Sequence, residues 1–244
     1  MLLGICYFLI FNSTKKTKHD IKIQKGTICL VVDDFGFIFD DFVKDFFQLH
    51  NNLTVAIIPG SPFAKQIAEY AHRNNIESIV HMPMESYEKN NQNYPIELNE
   101  KLNSLLVEQR VKEAFIENPY ALGMNNHQGS KATTSLQLMK DLARTLKSLD
   151  KYFLDSFTHP ESRAYITMRR YGVATQLRQI FIDHVEDEQH ILKNLDSLVN
   201  LSHEMDIAVG IGHIKPLTLK ILKEKIPLLE QNGYRFIALS QAVR

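Results

Sequence analysis

Short apolar runs alternate with segments of helical apolar spacing along most of the chain, from about residue 25 to its end. The apolar runs predict strands at residues 27–32, 53–58, 77–80, 121–124, 152–154, 179–182, 207–211 and 236–239. The helical spacing predicts helices between them, at residues 40–50, 62–73, 99–117, 135–149, 163–170, 187–204 and 217–231. About eight strand–helix units in one register predict a parallel α/β sheet that is closed or nearly closed into a barrel.

The first residues of the chain carry a different pattern. Residues 1–11 are almost wholly apolar, and residues 12–18 are polar and basic. The apolar stretch is shorter than the roughly 20 residues of a membrane-spanning helix, and its length suits a signal-peptide core. We therefore predict an export signal or anchor with a basic spacer over residues 1–24, and membrane association through residues 1–11. The alternative is a disordered or packed terminal strand. The export hypothesis places residues 25–244 outside the cytoplasm.

Composition narrows the class of protein. The chain has 244 residues, of which 44% are hydrophobic, so it can fill one large core. Lysines plus arginines equal aspartates plus glutamates at 28 each, which argues against the basic patch of a nucleic-acid-binding protein. The two cysteines, Cys6 and Cys29, lie in apolar segments and indicate neither a zinc ligand pair nor a structural disulfide. We found no repeat and no linker, so residues 25–244 are predicted to form one domain.

Two adjacent aspartates end the first predicted strand. Asp33 and Asp34 follow the apolar run at residues 28–32 and precede Phe35 and Gly36. Burying two like charges costs several kcal/mol unless a cation compensates them. Because successive strand residues point to opposite faces, we expect the two carboxylates to have different tasks, one holding a metal and the other facing a substrate.

Other predicted strands also end in polar or ionisable residues. In barrels of this kind, the carboxyl ends of the strands build the active site. A lone histidine at a strand end is more often structural, and a lone aspartate there commonly caps the next helix. Several around one rim favour a functional site; the candidates are His81, Asn126, His127, Asp155, Asp183, His184 and His213.

These residues resemble the polysaccharide deacetylase superfamily, and more closely its divergent polysaccharide deacetylase branch. The resemblance rests on five segments in that family's order, at residues 32–36 (VDDFG), 81–85 (HMPME), 126–130 (NHQGS), 154–156 (LDS) and 211–213 (IGH). It spans nearly the whole predicted domain. It implies a distorted (β/α) barrel with seven or eight mainly parallel strands and a divalent metal, usually zinc. It also implies that Asp33 is the general base, Asp34 and His81 bind the metal, and His213 is the general acid.

The chain departs from the main superfamily at three points. Glu85 stands where a second metal histidine is expected, the Arg-x-Pro-Tyr segment is absent, and the chain has no tryptophan. The third metal ligand is therefore an inference, for which we favour His127 first and Glu85 second. Residues expected to have substrate-binding or orienting roles are Asn126, Ser130, Asp155, Asp183 and Glu85; for Asp155 or Asp183 the expected role is to orient a catalytic group or to bind a sugar hydroxyl.

The expected activity is metal-dependent hydrolysis of a non-peptide carbon–nitrogen bond, with removal of an acetyl group from an N-acetylated polysaccharide. One alternative is a non-catalytic carbohydrate-binding or envelope-associated protein on the same fold. Another is a metal hydrolase of esters or peptide amides. Tyr87, Tyr94 and Tyr120 are candidates for stacking on a sugar ring. The sequence leaves the oligomeric state and the native metal open.

Overall fold

A computed structural model describes residues 24–88 and 94–244. The strands are β1 (Gly26–Phe35), β2 (Thr54–Ile57), β3 (Glu77–Met84), β4 (Gly123–Gln128), β5 (Tyr152–Asp155), β6 (Thr175–Leu177), β7 (Ile180–Phe181), β8 (Ala208–His213) and β9 (Tyr234–Ile237). The helices are α1 (Asp41–Phe46), α2 (Ala64–Arg73), α3 (Ser104–Glu117), α4 (Leu136–Ser148), α5 (Ala164–Arg170), α6 (Glu188–Glu204), α7 (Pro216–Gln231) and α8 (Leu239–Ala242), with a 3₁₀ turn at Ala132–Thr134.

Predictions made for the first residues lie outside this description, including the export signal or anchor and Cys6. Within the two described ranges, none of the helices combines the length and apolar character needed to cross a membrane.

All paired strands run parallel and form one curved sheet in the order β6-β5-β4-β3-β2-β1-β8-β7. The start of β1 also pairs with β9. Since Ile28 and Cys29 already pair with β8 along one edge, β9 must use the edge that β2 occupies further along. The end strands β6 and β7 are joined by only residues 178–179. This is the distorted (β/α) barrel that the sequence predicts.

Polar caps set where several helices begin. The side chains of Asp40, Asn103, Ser135 and Asp187 each accept a hydrogen bond from the amide three residues later. Such caps satisfy one of the amides that have no partner inside a helix, and are worth about 1 kcal/mol each. Each of the helices α1, α3, α4 and α6 therefore begins at the residue that follows its capping side chain.

The core lies on both sides of the sheet. Two clusters of buried apolar side chains fill the space between the sheet and the outer helices. A third cluster fills the inside of the barrel and contains Val31, Ala56, Ile79, Leu154 and Ile211, one from each of five strands. Leu239 and Ala242 of α8 belong to the same cluster, so this last short helix closes the end of the barrel where the strands begin.

Several details differ from the sequence prediction, among them the bounds of α1 and α3, helix α8 and three details of the strands. β3 continues through Pro83 to Met84, although it was expected to end at Val80. Proline is tolerated there because β2 pairs with β3 only as far as Val80, so the missing amide costs no bond to β2. β4 likewise extends to Gln128, through residues that were interpreted as a loop. β6 has three residues and was not predicted.

Candidate active site

Three candidate ligands converge at the carboxyl ends of β1, β3 and β4. Asp34 Oδ1 lies 3.0 Å from His127 Nδ1 and 3.2 Å from His81 Nε2. The two imidazole nitrogens are 3.0 Å apart. The three atoms therefore form a nearly equilateral triangle, and among the described residues these side chains are the one group of three or more that could hold a metal ion.

A bulge at the end of β1 aims both aspartates at this triangle. The pairing of β1 with β2 shifts register between Val32 and Phe35, and Asp34 has φ 73°, in the left-handed region. His81 Nε2 lies 3.6 Å from Asp33 Oδ2 as well as 3.2 Å from Asp34 Oδ1. The expectation that the two carboxylates face opposite sides of the sheet was therefore wrong, because the bulge breaks the strand alternation on which it rested.

The far nitrogen of each imidazole has its own partner. His81 Nδ1 lies 2.7 Å from Asn125 Oδ1, and His127 Nε2 lies 2.8 Å from the Tyr94 hydroxyl. Asn125 Oδ1 can only accept, so His81 must donate from Nδ1. His81 Nε2 then presents a lone pair to the triangle when the ring is neutral. Partners of this kind orient metal-binding histidines in proteins.

The donor set fits a divalent cation. Asp34 Oδ1 is buried and accepts no hydrogen bond from a described residue. Bond lengths of about 2.0–2.1 Å in a tetrahedral site place ligand atoms about 3.3 Å apart, close to the observed sides of the triangle. Burial lowers the pKa of His81, but the charge of Asp33 and the proximity of Asp34 outweigh it and raise that pKa to about 8. The buried carboxylates thus favour positive charge at this point.

Asp33 is buried beside the triangle and is held by an amide. Asn125 Nδ2 donates to both carboxylate oxygens, at 3.0 and 3.1 Å. Burial raises the pKa of Asp33, and the nearby histidines His81 and His213 oppose that effect only in part. A carboxylate with a raised pKa and a neutral hydrogen-bond donor is better suited to accept a proton than one paired with a cation.

His213 ends β8, directly beside Asp33 in the register of β1 and β8. Its Nδ1 lies 2.6 Å from Asp183 Oδ1, and Asp183 Oδ2 accepts from the His213 amide at 2.8 Å and from Thr218 Oγ1 at 2.6 Å. Burial lowers the pKa of His213, but the hydrogen bond and charge of Asp183 outweigh burial and raise it. The His213 ring also stacks on Phe181, with ring centres 5.7 Å apart. Asp183 therefore orients the imidazole and favours its protonated form.

The other residues expected at the site have structural partners. Glu85 pairs with Lys131 at 2.8 Å, and the structure does not bring it into the triangle. Ser130 Oγ accepts from the Tyr87 amide. Asn126 and Asp155 both bind the loop after β5. Asn126 Oδ1 accepts a hydrogen bond from the Ser156 amide. The carboxylate oxygens of Asp155 accept hydrogen bonds from the Phe157 amide, the Tyr165 amide and the Ser162 hydroxyl.

Sequence reasoning missed Asn125, which contacts both His81 and Asp33, and did not assign Tyr94 to His127. A signal for Asn125 was present: in a strand, residues two apart point to the same face, so Asn125 shares its face with His127 whereas Asn126 does not. Because residues 126–130 were interpreted as a loop, the alternation of a strand was not applied to Asn125. Of the three tyrosines proposed to stack on sugar, Tyr94 lies at the site, Tyr87 is largely exposed nearby, and Tyr120 stacks on His72.

Comparison with known proteins identifies the family. The sequence profile of the divergent polysaccharide deacetylases matches residues 30–243. The chain belongs to this family. Among its relatives is the uncharacterised protein YibQ of Escherichia coli, which is 30% identical over 207 residues, or 84% of this chain. This deacetylase-family chain spans 63% of the length of that relative.

Solved structures agree on the fold of this family member. An uncharacterised protein from Agrobacterium tumefaciens superposes with a TM-score of 0.82 at 15% identity, over 90% of each chain. The catalytic domain of a peptidoglycan N-acetylglucosamine deacetylase from Eubacterium rectale gives 0.52 at 15% identity, over 87% of this chain and 88% of that one. A CE4-family pseudoenzyme from Bacillus anthracis also gives 0.52, at 10% identity, over 90% and 66%. The fold therefore occurs both in a deacetylase catalytic domain and in a pseudoenzyme.

Proposed function

We propose that the protein is a metal-dependent hydrolase that removes an acetyl group from an N-acetylated carbohydrate. The observation that carries the proposal is the joint placement, at one end of the barrel, of the ligand triangle (Asp34, His81 and His127), Asp33 and His213. Such a set contains what hydrolysis of an amide needs: a cation site, a base and an acid.

Asp34, His81 and His127 would hold the cation. Two imidazoles and one carboxylate are a donor set of catalytic zinc sites, and we propose zinc. A cation bound there supplies Lewis-acid activation of the amide carbonyl and of the attacking water.

Asp33 and His213 divide the proton transfers. Asp33 takes the proton from the water as its oxygen bonds to the carbonyl carbon, and Asn125 keeps that carboxylate in place through its amide. His213, whose protonated form Asp183 favours by raising its pKa, gives a proton to the nitrogen as the carbon–nitrogen bond breaks. The products are acetate and a free amine on the sugar.

The carbohydrate part of the proposal has two supports. The first is membership of the divergent polysaccharide deacetylase family. The second is a cavity of about 300 Å³ beside Tyr94, lined by Phe37, Pro59, Pro62 and Pro95 among others. Aromatic and proline rings offer the flat apolar surface on which the C–H face of a sugar packs. A polysaccharide substrate also suits a location outside the cytoplasm, which we propose for residues 25–244.

The decisive test compares two isosteric variants of the aspartate pair. Asp33→Asn is expected to keep the zinc stoichiometry of the wild type and to lower kcat for acetate release at least about 100-fold, because it removes only the base. Asp34→Asn is expected to lose both zinc and activity. Zinc content is measured by elemental analysis after dialysis, and acetate release with chitin and peptidoglycan oligomers. Equal loss of zinc in the two variants would contradict this division of roles.

A second function is favoured by one departure in the chain. Glu85 takes the place of a metal histidine of the main superfamily and is engaged by Lys131. The alternative is a carbohydrate-binding or envelope-associated protein that keeps the fold without the chemistry. Glycan binding by the zinc-loaded protein, with no acetate released from any oligomer that it binds, would support this alternative over the enzyme.

A further inference from the structure

A second pair of histidines faces solvent beside the barrel mouth. His184 follows Asp183 in the loop after β7, and His190 lies in the first turns of α6. Their Nε2 atoms are 3.2 Å apart. His184 is exposed and His190 half-buried, so an ion in solution can reach both rings. Neither histidine belongs to the site described above.

The geometry of this pair closely repeats that of the two histidines in the ligand triangle. His81 and His127 have facing nitrogens 3.0 Å apart, ring centres 4.8 Å apart and ring planes at 76°. For His184 and His190 the corresponding values are 3.2 Å, 4.7 Å and 80°. The same relative placement of two imidazoles thus occurs twice in the molecule.

The ring separation distinguishes two explanations of the contact. A straight hydrogen bond between two ring nitrogens at this distance places the ring centres about 5.5 Å apart, because each nitrogen lies on the line that joins them. Two nitrogens bound to one ion at about 2.0–2.1 Å converge at an angle near 100° and bring the centres to about 5.0 Å. The observed 4.7 Å, with the rings edge to face at 80°, is too short for a straight hydrogen bond and lies nearer the value for two nitrogens on one ion.

The surroundings hold His190 in place and carry negative charge. Asp187 caps α6 and accepts from the His190 amide at 2.9 Å, which fixes the start of the helix under the ring. Glu186 and Asp187 precede the helix, and Glu188 opens it. Lys220 of α7 pairs with Glu188 at 3.0 Å and offsets one of these charges. Lys215 Nζ donates to the Asp183 carbonyl at 3.1 Å, directly before His184, and offsets a second charge, which leaves one carboxylate in excess among these side chains.

We propose that His184 and His190 bind a second transition-metal ion. No third histidine, cysteine or carboxylate joins them within residues 24–88 and 94–244, so water completes the coordination. Neutral imidazole suits zinc and copper, and copper binds more tightly than zinc to a given set of nitrogen ligands. With two protein ligands instead of three, this site binds more weakly than the triangle.

The test is a titration of the full metal-free chain with zinc alone. The titration is monitored by calorimetry in the presence of a competing chelator, which gives the affinity of each bound zinc ion. Wild type is expected to bind two equivalents of zinc. His184→Ala and His190→Ala are each expected to weaken the second equivalent at least 10-fold and to leave the first unchanged. His203→Ala, at the exposed end of the same helix, is the matched control and should retain both. Circular dichroism checks that each variant is folded.

His127→Ala separates this proposal from the proposed active site. This variant is expected to lose the tightly bound zinc of the ligand triangle and to keep the more weakly bound zinc of His184 and His190. When copper replaces zinc in the variant, its electron spin resonance spectrum should show coupling to two imidazole nitrogens. A single equivalent in wild type, or a second equivalent that neither His184→Ala nor His190→Ala weakens, overturns the proposal. Retention of the tight equivalent by His127→Ala counts against the triangle alone.

Discussion

Asn125 joins the two halves of the site through one side chain. Its carbonyl oxygen lies 2.7 Å from His81 Nδ1, while its amide nitrogen donates to both oxygens of Asp33. It is fully buried, and it lies opposite His81 in the register of β3 and β4. One neutral residue therefore sets the orientation of a proposed metal ligand and of the proposed base.

Replacing Asn125 tests that link. Asn125→Ala is expected to weaken zinc binding about 10–100-fold, the usual effect of losing a partner of a metal ligand. Asn126→Ala is the matched control on the opposite face of β4: it should lower stability by about 1–3 kcal/mol, because it leaves the Ser156 amide without a partner, and should change zinc affinity little. Zinc titration and thermal unfolding measure the two effects. A larger loss of zinc affinity in Asn126→Ala than in Asn125→Ala would contradict the assignment.

Asp183 controls the protonation of His213. Asp183→Asn removes the charge that raises the pKa of His213, while burial continues to lower it, so that pKa falls. Since the proposed acid must be protonated, the alkaline limb of the kcat profile is expected to move to lower pH. Histidine NMR titration gives the same shift without substrate. Thr218→Val, which removes one hydrogen bond to Asp183 but no charge, should give a smaller shift. An unchanged limb in Asp183→Asn would exclude His213 as the acid.

At this scale the sequence predicted the ionisable side chains that the structure brings together, and Asp183 as an orienting residue, but not Asn125 or Tyr94. The ionisable residues of the site follow apolar runs in the sequence. They could therefore be predicted to lie together at the carboxyl ends of the strands. Asn125 and Tyr94 act by contact with His81 and His127, and such contacts depend on register between strands distant in sequence. Asp155 shows the reverse error: it ends a strand, yet its oxygens serve the loop that follows.

At the scale of elements, the end of β1 is held by the turn that follows β2. The Ile58 amide donates to Phe35 and the Phe63 amide to Gly36. Gly36 has φ 139°, and a Cβ on it would lie 1.9 Å from Ser61 Oγ and 2.8 Å from Ser61 Cβ. Glycine is thus needed two residues after Asp34 both for its backbone angle and for space. The bulge that turns both aspartates inward depends on this packing.

Gly36→Ala tests the requirement. It is expected to destabilise the protein by more than about 2 kcal/mol and to weaken zinc binding, because it adds a close contact to an unfavourable backbone angle. Gly172→Ala is the control: Gly172 has φ 69°, but a Cβ there would meet nothing closer than Lys147 Nζ at 3.7 Å. It should cost only about 1 kcal/mol and leave zinc binding unchanged. Thermal unfolding and zinc titration are the measurements. Equal destabilisation in the two variants would show that space at Gly36 is unimportant.

The sequence misplaced element boundaries both away from the site and near it: α3 begins at Ser104 and not at residue 99, and α1 ends at Phe46 and not at residue 50. Amphipathic helices with polar caps, such as α4 and α6, were placed within one or two residues. β3 and β4 were cut short at Val80 and Met124, because Pro83 and the polar residues 125–128 are unfavourable in strands. Pairing between the two strands overrides these local preferences.

At the scale of the whole molecule, α8 closes the end of the barrel opposite the site. Leu239 is fully buried among the interior residues, and its amide donates to Thr54 Oγ1 at 3.0 Å. The Ser240 amide donates to Glu77. The C-terminal Arg244 exchanges backbone hydrogen bonds with Thr175 at the start of β6. The last six residues thus connect strands from both halves of the sheet.

Leu239→Ala is expected to lower the free energy of unfolding by about 2–5 kcal/mol, the range for removing a buried leucine side chain. Leu228→Ala, at an exposed position of α7, should change it by less than about 0.5 kcal/mol. Urea unfolding of both variants provides the comparison. A loss in Leu239→Ala as small as in Leu228→Ala would mean that α8 does not close the barrel.

The count of strand–helix units was enough to predict a barrel, but not how it closes. The strand predicted at residues 179–182 corresponds to β7, but β6 has only three residues, too few for an apolar pattern to appear. Closure instead involves Arg178 between them, whose Nε donates to the Ser156 carbonyl and whose amide donates to Asp155. These bonds are set by the completed fold and have no local signature.

The position of β1 in the sheet also determines when the protein can fold during synthesis. β2 follows β1 closely in the chain, but the other edge of β1 needs β8, and its first residues need β9, which ends at Ile237. A ribosome must therefore release almost the whole chain before the strand that carries Asp33 and Asp34 is fully paired. All three proposed ligands, by contrast, are present once His127 has emerged. A partly made chain thus contains all three proposed ligands while one edge of the apolar strand β1 still lacks its partner, a state in which exposed strand edges favour aggregation.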